Sequence, residues 1–233
     1  MKYLIEIGGT NLRIANFNLK KFEKIKWRGR FNPIEFVKEK TKNSDFVGIA
    51  IAGVTKGTTV IEAKNLGIRN LNLKNILKRE VFLENDLNAL AFAYRKYRNV
   101  ISIGIGTGIG SGIVINGELY RGHFGAGEIG HIYLNSLHKK RMIDLETDLV
   151  GKFRNKKMNK NEKKKMERNI AILIDGLVKI FDPNAIVITG KIGELCFEGA
   201  KKIFLKEFGT TKLILAKEID TLKGLKSLIL RSK

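Results

Sequence analysis

The chain is of moderate length and has a strongly basic composition. It has 233 residues (26.3 kDa), of which 43% are hydrophobic; this excludes a wholly disordered chain and allows one large domain or two small ones. A single cysteine, Cys196, excludes an internal disulfide framework and a zinc site built on several thiolates. Lys and Arg total 44 against 23 Asp and Glu, a formal charge of +21, so anionic ligands and nucleic acids enter as candidate partners.

The N-terminal half alternates strand-like runs, a glycine turn and one helix. Apolar and β-branched residues predict strands at residues 2–7, 12–18, 46–52 and 81–83. The tight turn at Gly8 and Gly9 joins the first two strands into a hairpin. Helix-forming residues at 88–97 follow a candidate cap at Asn85 or Asp86.

The C-terminal half has the same alternation. Strands are predicted at residues 100–105, 111–115 and 185–189, and helices at 167–181 and 222–230. A glycine turn at 106–108 separates the first two of these strands, and residues 182–184 end the first helix. Strands alternating with helices indicate an α/β fold.

A weak internal repeat connects the two halves. The segments IEIGGTNLRIANF and IGIGTGIGSGIVI share the order strand, Gly/Thr turn, strand at a spacing of about a hundred residues, too long for a solenoid. Such turns expose backbone N–H groups that can bind anions, and Thr10 and Thr107 add hydroxyl donors. Two turns in matching positions favour phosphate binding, although neither matches a P-loop or a GxGxxG followed by a helix.

Two further blocks carry polar side chains at special positions. Asp86 lies at a strand-to-helix junction, where it could be a functional carboxylate or, with Asn85, only a helix cap. Residues 125–131 form a glycine-rich segment that presents Glu128 and His131 three residues apart. A single histidine is usually structural, but a Glu and a His in a glycine-rich loop favour a site for a polar ligand.

These blocks together resemble the ROK family of repressors, open reading frames and sugar kinases, within the actin-like ATPase superfamily. The resemblance covers nearly the whole chain. Its motifs lie at residues 7–11 (IGGTN), 48–53, 65–66, 84–89 (ENDLNA), 106–116 (GTGIGSGIVIN), 125–131 (GAGEIGH), 181–183 and 186–190 (IVITG).

The resemblance implies a fold, a reaction and a division of the chain. The fold would be α/β, with two actin-like ATPase (ribonuclease H-like) domains flanking a cleft. One domain would comprise residues 1–97, joined by the C-terminal helix at about 221–233, and the other residues 98–220. The implied activity is that of an ATP-dependent hexokinase of the glucokinase type, which transfers the γ-phosphate of ATP to the 6-hydroxyl of a hexose. Glucose is the leading candidate.

The resemblance also implies a role for each matched residue. Asp86 would be the general base that accepts the proton of the sugar hydroxyl. The residues expected to bind the sugar are Asn65, Asn85, Glu128, His131 and Glu146. The phosphates of ATP would lie against Gly8, Gly9, Thr10, Asn11, Gly106, Thr107 and Gly108. Gly190 and Lys191 would lie on the adenine side.

The resemblance implies ATP and Mg²⁺ as cofactors. The sequence departs from the family's pattern in its zinc motif, in the phosphate-turn aspartate and in its length. Many members carry a CxCGxxGC zinc motif shortly after the Gly-His pair; here residues 134–144 contain no cysteine, so no zinc is expected and His138 is interpreted as a surface residue. The family's phosphate-turn aspartate is Glu6, for which a water-mediated contact to magnesium is expected. The chain is short for the family and starts at the first strand, so the helix-turn-helix of the family's repressors is not expected.

The remaining expectations concern partners and competing functions. Without a secretion signal or an apolar run of ~18 residues, the chain is predicted to be cytoplasmic and without a membrane span. The sequence leaves the oligomeric state open, although members of the family that it resembles are often homodimers. The basic stretch 152–168 is interpreted as a solvated loop running into a helix rather than a specific nucleic-acid site, because a lysine-rich composition without glutamine also fits a heat-adapted or AT-rich genome. The alternative to a kinase is a catalytically weak sugar- or nucleotide-binding regulator.

Overall fold

The computed structural model describes residues 1–123, 125–133, 144–153 and 156–232. The chain separates into two compact units. Unit 1 comprises Met1–Tyr94 together with the C-terminal segment from Lys217, and unit 2 comprises Arg95–Ala216. The boundaries expected from the sequence, 97/98 and 220/221, fall a few residues after these positions.

Unit 1 is built on a five-stranded sheet and a smaller three-stranded one. Its strands are β1 (Lys2–Ile7), β2 (Asn11–Asn16), β3 (Phe22–Lys26), β4 (Phe46–Ile51), β5 (Val54–Lys56), β6 (Thr59–Ala63), β7 (Ile68–Asn72) and β8 (Glu80–Asn85). Its helices are α1 (Pro33–Lys40), α2 (Leu73–Leu77), α3 (Asp86–Ala93) and the C-terminal helix α7 (Asp220–Arg231). The large sheet has the order β3-β2-β1-β4-β8. In it, β2 pairs antiparallel with β1 and β3, and β4 pairs parallel with β1 and β8. The small sheet has the order β5-β6-β7.

The sequence explains how α7 closes over this sheet. Glycines at the two contacts let the backbones approach closely: a Cβ at Gly48 on β4 would lie 2.6 Å from the Ile229 side chain, and one at Gly224 would lie 1.7 Å from the Ala89 carbonyl on α3. The apolar face of α7, including Leu225, is fully buried. Helix α7 therefore attaches the end of the chain to the strands that begin it.

Unit 2 contains a five-stranded sheet with the same topology as the large sheet of unit 1. Its elements are β9 (Val100–Ile105), β10 (Ile109–Ile115), β11 (Glu118–Tyr120), α4 (Leu145–Leu149), α5 (Lys160–Phe181), β12 (Ala185–Thr189), α6 (Lys191–Glu207) and β13 (Lys212–Leu215). The strand order is β11-β10-β9-β12-β13, with an antiparallel hairpin pair on one side of β9 and parallel strands on the other. Helices α5 and α6 pack together over this sheet. The internal repeat predicted from the sequence is thus confirmed as two sheets of the same topology.

Several predicted boundaries need correction. Helix α5 begins at Lys160, well before the predicted residue 167, because Asn159 caps it and Glu162 completes a capping box. Within the basic stretch 152–168, residues 160–168 are helical, in agreement with the expectation of a loop that runs into a helix. Helix α3 ends at Ala93 instead of residue 97, since the chain turns there and continues as a 3₁₀ turn at Arg95–Tyr97. The small sheet and helices α1, α2 and α6 were not predicted.

Among the described residues, no helix is long and apolar enough to cross a membrane.

Candidate active site

The first glycine turn, between β1 and β2 in unit 1, is fixed by donors from the chain that follows β3. The indole Nε1 of Trp27 donates to the Gly8 carbonyl (2.9 Å) and its backbone N–H to the Thr10 carbonyl (3.2 Å). The Arg28 guanidinium donates to the Gly9 carbonyl (3.4 Å), and the Gly8 N–H donates to the Asn11 carbonyl (3.0 Å). The predicted phosphate-binding residues 8–11 therefore form one ordered, half-buried turn.

A buried ion pair lies beneath this turn. Glu6 and Arg13 are register partners on β1 and β2, and an Arg13 Nη1 atom donates to Glu6 Oε1. Burial raises the pKa of Glu6, and the charge of Arg13 opposes that rise. The second carboxylate oxygen, Oε2, is buried and has no hydrogen-bond partner among the described residues. Sequence reasoning missed Arg13, since nothing in the sequence shows which side chain faces Glu6 across the hairpin.

Asp86 occupies the first position of α3, close to this pair. Burial first and the neighbouring Glu6 carboxylate second raise the pKa of Asp86 to about 7, against the backbone hydrogen bond from Leu87 and the charge of Arg13. Asp86 Oδ1 accepts the Leu87 N–H at 2.9 Å. The carboxyl group is therefore poised to exchange a proton near neutral pH, which suits a general base.

Asn85 is the helix cap that the sequence allowed. Its Oδ1 accepts the N–H groups of Leu87 and Asn88, both at 2.9 Å, and its Nδ2 donates to the Gly53 carbonyl at 3.1 Å. The side chain therefore ties the ends of β4 and β8 together as it starts α3. Asn65, by contrast, is exposed in the 3₁₀ turn Lys64–Leu66.

A second buried carboxylate, also missed from the sequence, supports this junction. Glu84 Oε1 accepts the Asn85 N–H and the Asn88 side-chain amide, both at 3.0 Å. Its position on the buried face of β8, directly before Asn85 and Asp86, was a usable signal, because a buried carboxylate requires hydrogen-bond partners.

The second glycine turn, between β9 and β10 in unit 2, has a different support. The Gly106 N–H donates to the Gly108 carbonyl (2.9 Å), and the Ile109 N–H donates to Glu146 Oε2 (2.9 Å). The start of α6 lies beside this turn, because a Cβ at Gly106 would be 3.8 Å from Lys191 N and 3.9 Å from Gly190 Cα. Unit 2 therefore brings the predicted residues 106–108, Gly190 and Lys191 together, with Glu146 next to them.

The loop that carries Glu128 and His131 is anchored on β10. Ser111 donates its N–H and its hydroxyl to the Gly127 carbonyl, both at 2.8 Å, and a Cβ at Gly127 would lie only 2.3 Å from the Ser111 carbonyl. The His131 ring lies with Nε2 3.9 Å from Glu128 Oε2 and Nδ1 3.3 Å from Asp144 Oδ2. Hydrogen bonds from Thr147, and then the contact with His131, hold the pKa of Asp144 below its usual value.

Within the described residues, no group of three or more His, Cys, Asp or Glu side chains could hold a metal ion. The buried, unpartnered Oε2 of Glu6 fits a water-mediated contact to a magnesium ion, which proteins commonly bind through one or two carboxylates together with substrate phosphates. Most of the region of the family's zinc motif, including His138, lies outside the described residues.

The fold and the family follow from comparisons with known proteins. The ROK glucokinase of Streptomyces griseus, solved in complex with glucose and AMPPNP, has a similar structure: the TM-score is 0.74 at 21% identity, over 97% of this chain and 98% of that chain. The mixed α/β fold is thus the one found in ROK sugar kinases. The ROK family model matches residues 3–147, and the chain belongs to the ROK family.

Two curated relatives show how different the members' functions are. An N-acetyl-D-glucosamine kinase of Haemophilus influenzae is 31% identical over 164 residues, 58% of this chain and 53% of that protein. The xylose repressor of Bacillus subtilis is 35% identical over 101 residues, 38% of this chain and 26% of the repressor. The matched region thus spans about half the length of that kinase and about a quarter of the repressor.

Proposed function

We propose that this protein is an ATP-dependent sugar kinase that transfers the γ-phosphate of ATP to the 6-hydroxyl of a hexose, with Asp86 as general base. The main support is the environment of Asp86, a partly buried carboxyl group with a pKa of about 7 at the start of α3. Phosphoryl transfer needs mainly positioning and charge stabilisation, and one group that orients the attacking hydroxyl and takes its proton.

In this mechanism the ionised Asp86 carboxylate accepts a hydrogen bond from the sugar hydroxyl and then its proton, as the P–O bond to the sugar forms, the bond between the γ-phosphorus and the β–γ bridging oxygen breaks, and ADP leaves. The backbone hydrogen bond from Leu87 fixes the carboxylate. Arg13, paired with Glu6, limits the negative charge that accumulates beside Asp86. At neutral pH the Asp86 carboxyl group is therefore partly ionised and basic enough to accept the proton of the sugar hydroxyl.

The phosphates of ATP are assigned to the two glycine turns, residues 8–11 and 106–108, and the adenine to the side of Gly190 and Lys191. Glycine-rich turns of this kind form anion-binding sites through their backbone N–H groups. A magnesium ion, when bound, would neutralise phosphate charge, and Glu6 would hold it through water.

Asn85, Glu128 and His131, with Asn65, are proposed to bind the sugar hydroxyls. The similarity to a glucokinase solved with glucose supports glucose as substrate, and the similarity to an N-acetyl-D-glucosamine kinase makes the N-acetylated sugar the main competitor. A pocket that discriminates these sugars has to accept or reject an acetamido group at one carbon, which a panel of sugars can measure directly.

A sugar- or nucleotide-binding regulator is the second candidate. The similarity to the xylose repressor supports it, and so does the pairing of Glu6 with Arg13 under the first turn, since a carboxylate engaged by a guanidinium is less available to a metal. A regulator would bind sugar or nucleotide without appreciable turnover.

The test is a coupled ADP-release assay with Mg-ATP and a panel of glucose, mannose, fructose, galactose, glucosamine, N-acetylglucosamine and N-acetylmannosamine. Asp86→Asn should lower sugar-dependent turnover by about 10²–10⁴-fold, the usual contribution of a general base. Asp45→Asn makes the same chemical change at an exposed carboxylate in unit 1 and serves as the control. Sugar binding by calorimetry with no turnover above that of Asp86→Asn would favour the regulator.

A further inference from the structure

The imidazole ring of His131 is in contact with the carboxylate that caps helix α4. His131 Nδ1 lies 3.3 Å from Asp144 Oδ2, and the other carboxylate oxygen, Oδ1, accepts the Thr147 N–H at 2.8 Å. The two oxygens of Asp144 therefore make different contacts: Oδ1 caps the helix, and Oδ2 faces the ring.

The backbone on both sides of this contact is fixed within unit 2. A Cβ at Gly130 would lie only 2.2 Å from the Ile109 carbonyl on β10, so the loop that carries His131 packs directly on that strand. The Leu145 N–H donates to the Ile132 carbonyl at 2.9 Å and joins the start of α4 to the end of this loop. The remaining freedom of His131 is therefore in its side chain: the rotation of the ring and the choice of the nitrogen that carries the proton.

The contact with Asp144 determines that choice. Hydrogen bonds from Thr147 hold the pKa of Asp144 below its usual value, so the carboxylate is ionised at neutral pH and can only accept hydrogen bonds. His131 Nδ1 must then donate, and in the neutral imidazole this leaves the lone pair of Nε2 as an acceptor. The His131 side chain is 39% exposed, so a ligand can reach the ring.

A second acceptor lies beside Nε2. Glu128 Oε2 is 3.9 Å from His131 Nε2, and an ionised carboxylate also only accepts hydrogen bonds. Two acceptors cannot bond to each other, but together they suit a ligand that offers two hydroxyl donors, as a sugar does.

We propose that Asp144 is a positioning residue that sets the tautomer of His131, so that Nε2 accepts a hydrogen bond from a sugar hydroxyl. The proposal rests on the proposed function for the identity of the ligand, whereas the tautomer does not depend on that function. Asp144→Asn should invert the tautomer, because the amide oxygen can keep the bond to the Thr147 N–H while the NH₂ group faces Nδ1. The same substitution next to the histidine of Ser-His-Asp hydrolases also gives the wrong tautomer.

The tautomer is tested by NMR of the imidazole nitrogens at pH 8.5, on the whole chain labelled with ¹⁵N-histidine. The chain has three histidines, and the signals that disappear in His131→Asn are those of His131. The proton should be on Nδ1 in the wild type and on Nε2 in Asp144→Asn. Asp148→Asn makes the same change at an exposed carboxylate of α4 and should leave the proton on Nδ1. A proton on Nε2 in the wild type would overturn the proposal without any variant, and so would a proton on Nδ1 in folded Asp144→Asn.

The consequence for the sugar is measured by the ADP-release assay with the best sugar of the panel. Asp144→Asn should raise the KM for sugar about tenfold, as expected when a hydrogen bond of the bound sugar is lost, and should leave the KM for ATP within about twofold. An unaltered KM for sugar in a variant with the inverted tautomer would overturn the proposal, and so would an equal rise of both constants. Absence of turnover in the wild type would instead count against the proposed kinase, and the NMR spectra would then decide the role of Asp144.

Discussion

The two five-stranded sheets share one topology, yet the glycine turns at their centres are held in different ways. In unit 1, side chains and backbone after β3 donate hydrogen bonds to the carbonyls of the turn, from Trp27 and Arg28. In unit 2, a carboxylate from α4 accepts the N–H at the end of the turn. The repeated strand–turn–strand backbone therefore fixes where the two turns lie in their sheets, and unrelated side chains fix their conformation.

The surroundings of the two turns also differ in charge balance. Beneath the first turn, Glu6 is paired with Arg13 and raises the pKa of Asp86. Beside the second turn, Glu146 is bonded to the backbone. The first turn thus lies near an ion pair and a carboxyl group with a raised pKa, whereas the second lies beside a carboxylate bonded to the backbone. Two sheets of the same topology can therefore carry glycine turns with different charged neighbours.

The largest effect is expected from breaking the buried pair in unit 1. Arg13→Met should lower the free energy of unfolding by about 3–5 kcal/mol, because it leaves Glu6 as a buried charge without its partner. Chemical denaturation at pH 8 measures the change. The double variant Glu6→Gln/Arg13→Met should recover much of the loss. Equal destabilisation in the single and double variants would show that packing of the Arg13 stem, rather than charge compensation, holds this region.

Ionisation of the buried Asp86 carboxyl group should lower the free energy of unfolding. The pKa of Asp86 is raised from 3.8 to about 7, so stability contributed by the protonated form is present below pH 3.8 and is lost as the pH rises through about 7. Asp86→Asn should therefore be more stable than the wild type by roughly 2–4 kcal/mol at pH 8, since a tenfold change in proton affinity is worth about 1.4 kcal/mol. Near pH 4 the two proteins should have similar stability. A difference that does not depend on pH would contradict the elevated pKa.

Glu6 and Arg13 should set the pH at which turnover declines. If Asp86 must be ionised to act, sugar-dependent turnover should decline as the pH falls below about 7. The Glu6 carboxylate is one of the groups that raise this pKa, so Glu6→Gln should move the decline to lower pH, and Arg13→Met should move it to higher pH. Rate profiles from pH 5.5 to 8.5 test the two directions, and identical profiles for all three proteins would refute the electrostatic coupling.

The smallest effect is expected in unit 2. Asp144→Ala removes the cap of α4 and the contact to His131, and should cost about 1 kcal/mol, the usual value of a helix cap. Asp144→Asn keeps a cap oxygen and should cost less. Thermal unfolding compares the two variants, and equal losses would indicate that the charge on Asp144, not its capping oxygen, is what unit 2 requires.

The sequence predicted the parts of the fold that depend on local patterns. The hairpins around both glycine turns, the strand at residues 185–189 and the cap at Asn85 are confirmed, because each combines a regular apolar pattern with a turn or cap residue. The small sheet was missed because its strands are short, only three to five residues long, and rich in polar positions. The start of α5 was missed because lysines obscure the helical period before residue 167.

The candidate site residues could be selected from sequence motifs, whereas the contacts among them could not. The motifs identified Asp86, His131 and the turns, since these stand out in the sequence. The partners Arg13, Glu84 and Asp144 depend on strand register or on loops that meet in space, which no local pattern specifies. Glu146 was expected at the sugar, and its contact with the Ile109 N–H became visible only in the folded unit.

Sugar-dependent ADP release by the wild type and Asp86→Asn at pH 8, with folding of both proteins verified by circular dichroism, tests the proposed kinase activity and its base together. We expect turnover with at least one hexose or N-acetylhexosamine of the panel, and a loss of about 10²–10⁴-fold in the variant. Turnover that is the same in both proteins would contradict the assignment of the base. No turnover with any sugar in the folded wild type would contradict the kinase itself.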